Sequence, residues 1–166
     1  ALQTSVKDLQ NINLGTDTDK EDTQESIKKK LLEQIDEFVG DYNSLYKFLE
    51  QAGGTTNSMF QKQLKSSFTT NQKDLAEIGI TMDAKGTLSV DSKTLEAADV
   101  DKLQKIFCDK DSFAARVSDK CETIKSCANS TIKVLNRMYG TQTAYNRYGT
   151  NGYYYGSSGS RYNAKS

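Results

Sequence analysis

The stretch that decides the fold is residues 74–98, which read DLAEIGITMDAKGTLSVDSKTLEAA. It begins with the apolar spacing of a helix, and Gly79 lets the chain leave that helix in a left-handed conformation without steric cost. Apolar and polar residues then alternate on both sides of Asp83-Ala84-Lys85-Gly86, whose residue types favour a tight turn. Asp91 has the residue type of a helix N-cap. The stretch therefore predicts a helix, a β-hairpin at about residues 79–91 and a second helix.

The residues that carry this prediction are those that form the turns, point inward from the strands or cap the next helix. They are Ile78, Gly79, Ile80, Asp83, Gly86, Leu88, Val90 and Asp91. Preceded by Leu75-Ala76, they resemble the C-terminal part of the flagellar filament cap, the flagellar hook-associated protein 2 family. That family has a Leu-Ala pair, an I-G-I turn, an Asp-x-x-Gly-x-Leu-x-Leu/Val-Asp hairpin and a following helix.

Two other segments extend the resemblance in the same order along the chain. Residues 38–45, FVGDYNSL, resemble the F-V-x-x-Y-N-S-L helix of the family. Residues 100–107 are similar to a short family helix that ends in Leu-Phe. Together the three segments extend the resemblance over roughly residues 12–125.

Two long helices are predicted from apolar residues that recur at alternating steps of four and three, the spacing of a heptad seam. The first runs from about residue 22 to 51, with Asp22 and Glu25 as a capping-box variant and Gly53-Gly54 as its stop. The second starts near Asp111, with Asp111 or Ser112 as its cap. We expect the seam residues to serve in packing or assembly; they are Leu31, Ile35, Phe38, Tyr42, Leu45 and Leu49 in the first helix, and Val117, Ile124 and Leu135 in the second.

These elements predict a mainly α fold with a small β-hairpin (α+β), arranged as an elongated antiparallel helical bundle that resembles a coiled-coil stem. Residues 1–16 are predicted as a short strand or linker, because Ile12 and Leu14 alternate with polar residues. Residues 17–139 form the helical stem, which contains a further helix at 58–69. If Leu45 is a core residue of the seam, its replacement by Ala lowers the free energy of unfolding by about 2–5 kcal/mol.

Residues 140–166 differ in composition from the rest of the chain. They are rich in Gly, Ser, Asn and Tyr, and contain no acidic residue and no aliphatic residue larger than Ala. Such a segment buries too little apolar surface to offset its ordering entropy, so a disordered tail is predicted. Tyrosine is common at interfaces, so the tail is either a contact segment or an inert extension. Its candidate contact residues are Tyr148, Tyr153, Tyr154 and Tyr155.

Composition argues against several functional classes. The formal net charge is +0, whereas a nucleic-acid binder usually needs a basic face. No apolar run approaches the roughly 20 residues of a membrane span. The chain contains no histidine, which excludes Ser-His-Asp and Cys-His catalysis and most zinc sites. We therefore expect no enzymatic activity, no catalytic residue, no metal and no cofactor.

The three cysteines, Cys108, Cys121 and Cys127, have neither a CxxC spacing nor the spacing of a metal site. We expect them to act as small apolar residues. Sequence spacing does not decide whether Cys108 forms a disulfide with Cys121 or Cys127.

The resemblance implies a structural protein of the bacterial flagellum that self-associates at the filament tip and assists flagellin assembly. Its implied partners are further copies of itself, flagellin and the hook–filament junction proteins, and its implied location is extracellular. One alternative is a secreted adhesion module that binds a host surface or mucin through the Tyr-rich tail. Another is an intracellular helical scaffold with no link to the flagellum.

Overall fold

The structure is a computed structural model that describes residues 1–13 and 24–139. Within these residues the chain forms seven helices and one two-stranded antiparallel sheet, which confirms a mainly α fold with a small hairpin. The elements in order are α1 (Leu2–Asn13), α2 (Gln24–Ala52), α3 (Gly54–Thr70), α4 (Gln72–Glu77), β1 (Ile80–Met82), β2 (Leu88–Val90), α5 (Ser92–Ala97), α6 (Val100–Phe107) and α7 (Phe113–Tyr139).

The chain divides into two units, Ala1–Ser126 and Cys127–Ser166. The first unit contains α1 to α6, the hairpin and the first half of α7. The described part of the second unit consists of residues 127–139 of α7. The predicted boundaries of the stem and the elongated antiparallel arrangement stay predictions.

The seam of α2 forms one side of the core of the first unit. Five of its six predicted members are at most 1% exposed, namely Leu31, Ile35, Phe38, Tyr42 and Leu49. Leu45, the remaining member, is half-buried, because it lies at a surface groove. The heptad spacing thus predicts the buried face of α2 correctly. It overestimates the burial of Leu45.

Phe113, the first residue of α7, is the centre of an aromatic cluster in this core. Its ring centroid lies 5.7 Å from that of Phe38 on α2, 6.3 Å from Phe68 on α3 and 6.4 Å from Phe107 on α6. These three contacts are edge-to-face, an arrangement that aromatic pairs prefer over a face-to-face sandwich. The start of α7 therefore joins three other helices through one fully buried ring.

The seam predicted for α7 is buried only at its start. Val117 is fully buried, Ile124 is half-buried and Leu135 is 46% exposed. The expectation of a seam packed along the whole helix is therefore wrong for Leu135. The physical reason is that Leu135 belongs to the second unit, whose described part is a single helical segment, and one helix cannot bury its own apolar stripe.

The predicted strand near the start of the chain is also wrong, because Ile12 lies in α1 and Leu14 lies outside the described residues. Two alternating residues are too few to distinguish a strand from a helix. The stronger pattern is helical: Leu2, Val6 and Leu9 recur at steps of four and three, and all three are buried. Ser5, on the same side of α1, donates a hydrogen bond to the Asp41 carboxylate of α2.

Several helix ends lie at the predicted residues, and one does not. Gly53 and Gly54 have φ values of 60° and 84°, and they separate α2 from α3. Because Gly54 itself starts α3, that helix begins four residues earlier than the predicted 58. Ser112 caps α7, since its Oγ accepts a hydrogen bond from the Ala115 N–H at 3.1 Å. The predicted Asp22 cap and the tail at 140–166 lie outside the described residues.

The contrast between Leu49 and Leu45 gives a direct test of the α2 core. Leu49→Ala should lower the free energy of unfolding by about 2–5 kcal/mol, because it leaves a cavity in a packed interior. Leu45→Ala should cost less than about 1.5 kcal/mol, because half-buried methylenes lose less transfer energy. Urea unfolding of both variants measures the difference, and equal losses would contradict the assignment of Leu45 to the surface groove.

Candidate interaction surfaces

The hairpin is an antiparallel pair in which Ile80 lies opposite Val90 and Met82 lies opposite Leu88. Ile80 and Leu88 are buried, whereas Met82 and Val90 are half-buried. Its turn is closed by the Asp83 side chain, which accepts a hydrogen bond from the Thr87 N–H at 2.8 Å. The turn and strand positions thus have the structure that the sequence pattern predicts.

The two ends of the hairpin are joined where the chain enters and leaves it. The Asp91 N–H donates to the Gly79 carbonyl at 2.8 Å, and Gly79 has a φ of 83°. The Asp91 carboxylate accepts from Thr94 Oγ1 at 2.7 Å and from the Lys93 N–H at 3.2 Å. The hydrogen bond from Thr94, followed by backbone hydrogen bonds, holds the pKa of Asp91 below its ordinary value. Asp91 is therefore the N-cap of α5, as predicted.

Asn43 of α2 fixes the hairpin to the core. Its Oδ1 accepts a hydrogen bond from the Leu88 N–H at 2.8 Å, and its Nδ2 donates to the Leu88 carbonyl at 2.9 Å. One amide side chain thus satisfies both backbone groups of one strand residue, as a third strand would. We call these two bonds the Asn43–Leu88 pair. The sequence points to Asn43 only as a member of FVGDYNSL. Its contact with a residue 45 positions away leaves no periodic pattern in the sequence.

Tyr46, one turn further along α2, covers the tip of the hairpin. A Cβ at Gly86 would overlap the Tyr46 ring, and Gly86 has a φ of 95°, so two independent constraints favour glycine there. The Tyr46 ring stacks on that of Tyr42 at 6.1 Å. Burial raises the pKa of both tyrosines, and the charges of Glu50 and Asp83 add to the rise for Tyr46. These tyrosines stay neutral and act as packing residues.

A surface groove of about 380 Å³ lies between α1, α2 and α7 in the first unit. Its larger apolar lining residues are Leu2, Leu45, Phe48, Cys121 and Ile124, and we call it the Phe48 groove. Phe48 is 62% exposed, which is high for a phenylalanine beside a core. Asp41 and Lys125 are the charged residues of the lining.

The second unit presents exposed apolar side chains on one side of α7. At 3.6 residues per turn they fall within half of the helix circumference. These residues, which we call the α7 stripe, are Ile132 (54% exposed), Val134 (53%), Leu135 (46%) and Met138 (61%). A cluster of exposed apolar residues of this kind marks a candidate binding surface.

All three cysteines are free thiols, so the disulfide left open by the sequence is not formed. Cys108 is buried, and its Sγ donates a hydrogen bond to the Leu9 carbonyl of α1 at 3.1 Å. Burial raises the pKa of Cys108 to about 11, with nearby Asp109 adding to the rise. Burial also raises the pKa of Cys121 to about 11. Cys127 is half-buried.

The described residues offer neither a metal site nor a membrane span. Across residues 1–13 and 24–139, no group of three or more His, Cys, Asp or Glu side chains could hold a metal ion. In the same part of the chain, no helix has the length and apolar character needed to cross a membrane.

The predicted site residues divide into three groups in the structure. The hairpin residues come together around one turn, and the α2 seam apart from Leu45 shares a buried core with Val117. Ile124 lies in the Phe48 groove and Leu135 in the α7 stripe, so these two are surface residues. The four candidate tyrosines of the tail lie outside the described residues.

These features define a helical domain that holds a small hairpin against its longest helix and exposes apolar surface on α2 and α7. The chain belongs to the flagellar filament-cap family: the family model for the flagellar hook-associated protein 2 C-terminus matches residues 52–150, more than half of its 166 residues. The matched region contains the hairpin and α7 but not the FVGDYNSL segment. Comparison with the curated proteins and with the solved structures found no match.

The Asn43–Leu88 pair predicts a large effect from a small substitution. Asn43→Ala should lower the free energy of unfolding by about 1–3 kcal/mol, because both backbone groups of Leu88 lose their partner in a partly buried place. Ser44→Ala is the matched control, since the Ser44 hydroxyl only bonds the exposed Gly40 carbonyl of its own helix. Urea unfolding measures both, and an Asn43→Ala variant as stable as Ser44→Ala would contradict the role of Asn43.

The cysteines predict selective labelling. At pH 8 a thiol whose pKa is about 11 is thiolate in only about one molecule in a thousand, and the thiolate is the reactive form. We therefore expect a thiol reagent to modify Cys127 first and Cys108 last, with all three reacting at similar rates in urea. Mass spectrometry of peptides from a labelling time course measures the order. Fast labelling of Cys108 in the folded protein would contradict its burial.

Proposed function

We propose that this chain is the stem-forming C-terminal part of a flagellar filament cap, that it self-associates at the filament tip, and that it assists flagellin assembly. The observation that carries the proposal is the family match over residues 52–150, which contains the hairpin and the α7 stripe. The proposed location is extracellular, and the proposed partners are further copies of the chain, flagellin and the hook–filament junction proteins.

The described surface supports a role in assembly rather than in chemistry. An assembly protein binds through apolar patches that are uncovered until its partner arrives. The Phe48 groove and the α7 stripe are both of this kind. The core of the same unit is densely aromatic, so the groove belongs to a rigid scaffold.

The proposal is tested in the bacterium that encodes the chain, by deleting the gene and restoring it in full length. Without the protein, exported flagellin should accumulate in the medium and filaments should be short or missing. Restoring the wild-type gene should recover filament length and motility. Electron microscopy of cells and quantification of flagellin in the medium provide the readout. Filaments of normal length in the deletion strain would contradict a function in filament assembly.

A matched pair of substitutions separates the surface from the fold. Leu135→Lys changes an exposed residue of the α7 stripe, and Met59→Lys changes a similarly exposed apolar residue of α3, 48% exposed and outside the groove and the stripe. Both variants should fold, as judged by circular dichroism. We expect Leu135→Lys to reduce filament growth and Met59→Lys to leave it unchanged; equal effects would contradict a specific role of the stripe.

A further inference from the structure

We propose that the Phe48 groove of one copy binds the α7 stripe of a second copy of the same chain. This inference rests on the proposed self-association and names the two surfaces that form the contact.

The groove and the stripe are both apolar, and their shapes are complementary. The groove is a concave site of about 380 Å³ with an apolar lining, and the stripe is the apolar side of a helical segment. A helix that lays its apolar side into a hydrophobic groove is a recurrent mode of protein recognition. Phe48, at 62% exposed, is the residue of the groove with most apolar surface left to bury. Aromatic residues in such positions commonly contribute most to binding.

The stretch of α2 that leads into the groove and the segment of α7 that carries the stripe have charges of opposite sign, which favours the stripe as the occupant. On α2, Glu33, Glu37 and Asp41 follow each other at steps of four, and at 3.6 residues per turn they share the side of the helix that carries Phe48. Asp41 lines the groove, Glu37 and Glu33 lie one and two turns before it, and Lys30 on the same side precedes them. The stretch 33–41 contains Asp36 as a fourth acid and no base. On α7, residues 127–139 contain Lys133 and Arg137 and no acid.

The arrangement of these charges fits a helix placed along α2. Lys133 and Arg137 are four residues apart, the same step as Glu33, Glu37 and Asp41, so two bases can lie opposite two acids when the stripe enters the groove. Lys125 is a basic residue on the α7 side of the groove, where it does not favour further bases. Lys133 and Arg137 of the second copy therefore lie on the α2 side, next to the acids. Charge complementarity of this kind sets the orientation of a contact more than its strength.

The proposed contact joins two different surfaces, so it is heterologous. In a dimer formed by a heterologous contact, one groove and one stripe remain free. Further copies can bind to these free surfaces until the assembly closes into a ring or grows as an open chain. Substitution in either surface therefore stops assembly, but the two kinds of variant can still bind each other once.

This property gives the test. Phe48→Lys inactivates the groove and keeps the stripe, whereas Leu135→Lys inactivates the stripe and keeps the groove. Light scattering coupled to size-exclusion chromatography measures the mass of the full chain over a concentration series. Wild type and the Met59→Lys control should form oligomers, and each surface variant alone should be a monomer, with its dissociation constant raised by about tenfold or more. The mixture of the two should form a 1:1 dimer and nothing larger.

Three results would overturn the inference. A wild-type chain that stays monomeric at all concentrations excludes the contact. A Phe48→Lys variant that still oligomerises places self-association elsewhere, and a mixture without a 1:1 dimer shows that the two surfaces do not bind each other. In each case the deletion experiment still decides the filament-assembly function, because it does not depend on which surfaces bind.

The charges give a second readout. Glu37→Lys should raise the dissociation constant of the oligomer by about two- to fivefold, as expected for one exposed ion pair. In the placing we propose, Arg137 lies opposite Glu37. Arg137→Glu should therefore raise the dissociation constant by a similar factor, and the double variant should return towards the wild-type value, because the pair is then restored with its signs exchanged. If the double variant instead has a dissociation constant raised by the product of the two single effects, the proposed placing of α7 along α2 is overturned.

Discussion

The structure depends on one constraint: a hairpin of two three-residue strands must be held by something outside itself, because an isolated pair of this size is at best marginally stable in water. Asn43 supplies the connection through its two hydrogen bonds to Leu88, and Tyr46 covers the hairpin tip above Gly86. At 3.6 residues per turn, Asn43 and Leu45 point to nearly opposite sides of α2. The turn of α2 that lines the Phe48 groove is therefore fixed on its other side by the hairpin.

The aromatic core gives the same turn of α2 a second support. Phe38 and Tyr42 both pack on Phe113, which in turn contacts α3 and α6. Close-packed interiors of this kind have low compressibility, so the groove has a defined shape before any partner arrives. A preformed surface loses less conformational entropy on binding, which favours assembly through modest contact areas. Fold and proposed function are linked in this way: the motif that identifies the family also stiffens the surface that we propose for self-association.

Sequence reasoning succeeded where local chemistry decides the outcome. The turn at Asp83 to Gly86, the cap at Asp91 and the stop at Gly53-Gly54 each depend on the properties of one or two residues, and each is confirmed. It failed where tertiary partners decide. Leu45, Ile124 and Leu135 have the same heptad spacing as buried residues, yet their exposure depends on whether another element lies against them. Asn43 shows the same limit for polar residues, since its partner is 45 positions away.

If α2 and the hairpin form one cooperative body, as the Asn43–Leu88 pair implies, amide hydrogen exchange of Leu88 reports it directly. Its N–H is bonded to a side chain of α2, so it should exchange only when α2 itself unfolds. We predict that the free energy of opening measured at Leu88 equals that at the buried residues Phe38 and Tyr42. A much smaller value at Leu88, with α2 still protected, would show that the hairpin opens by itself and would contradict the account.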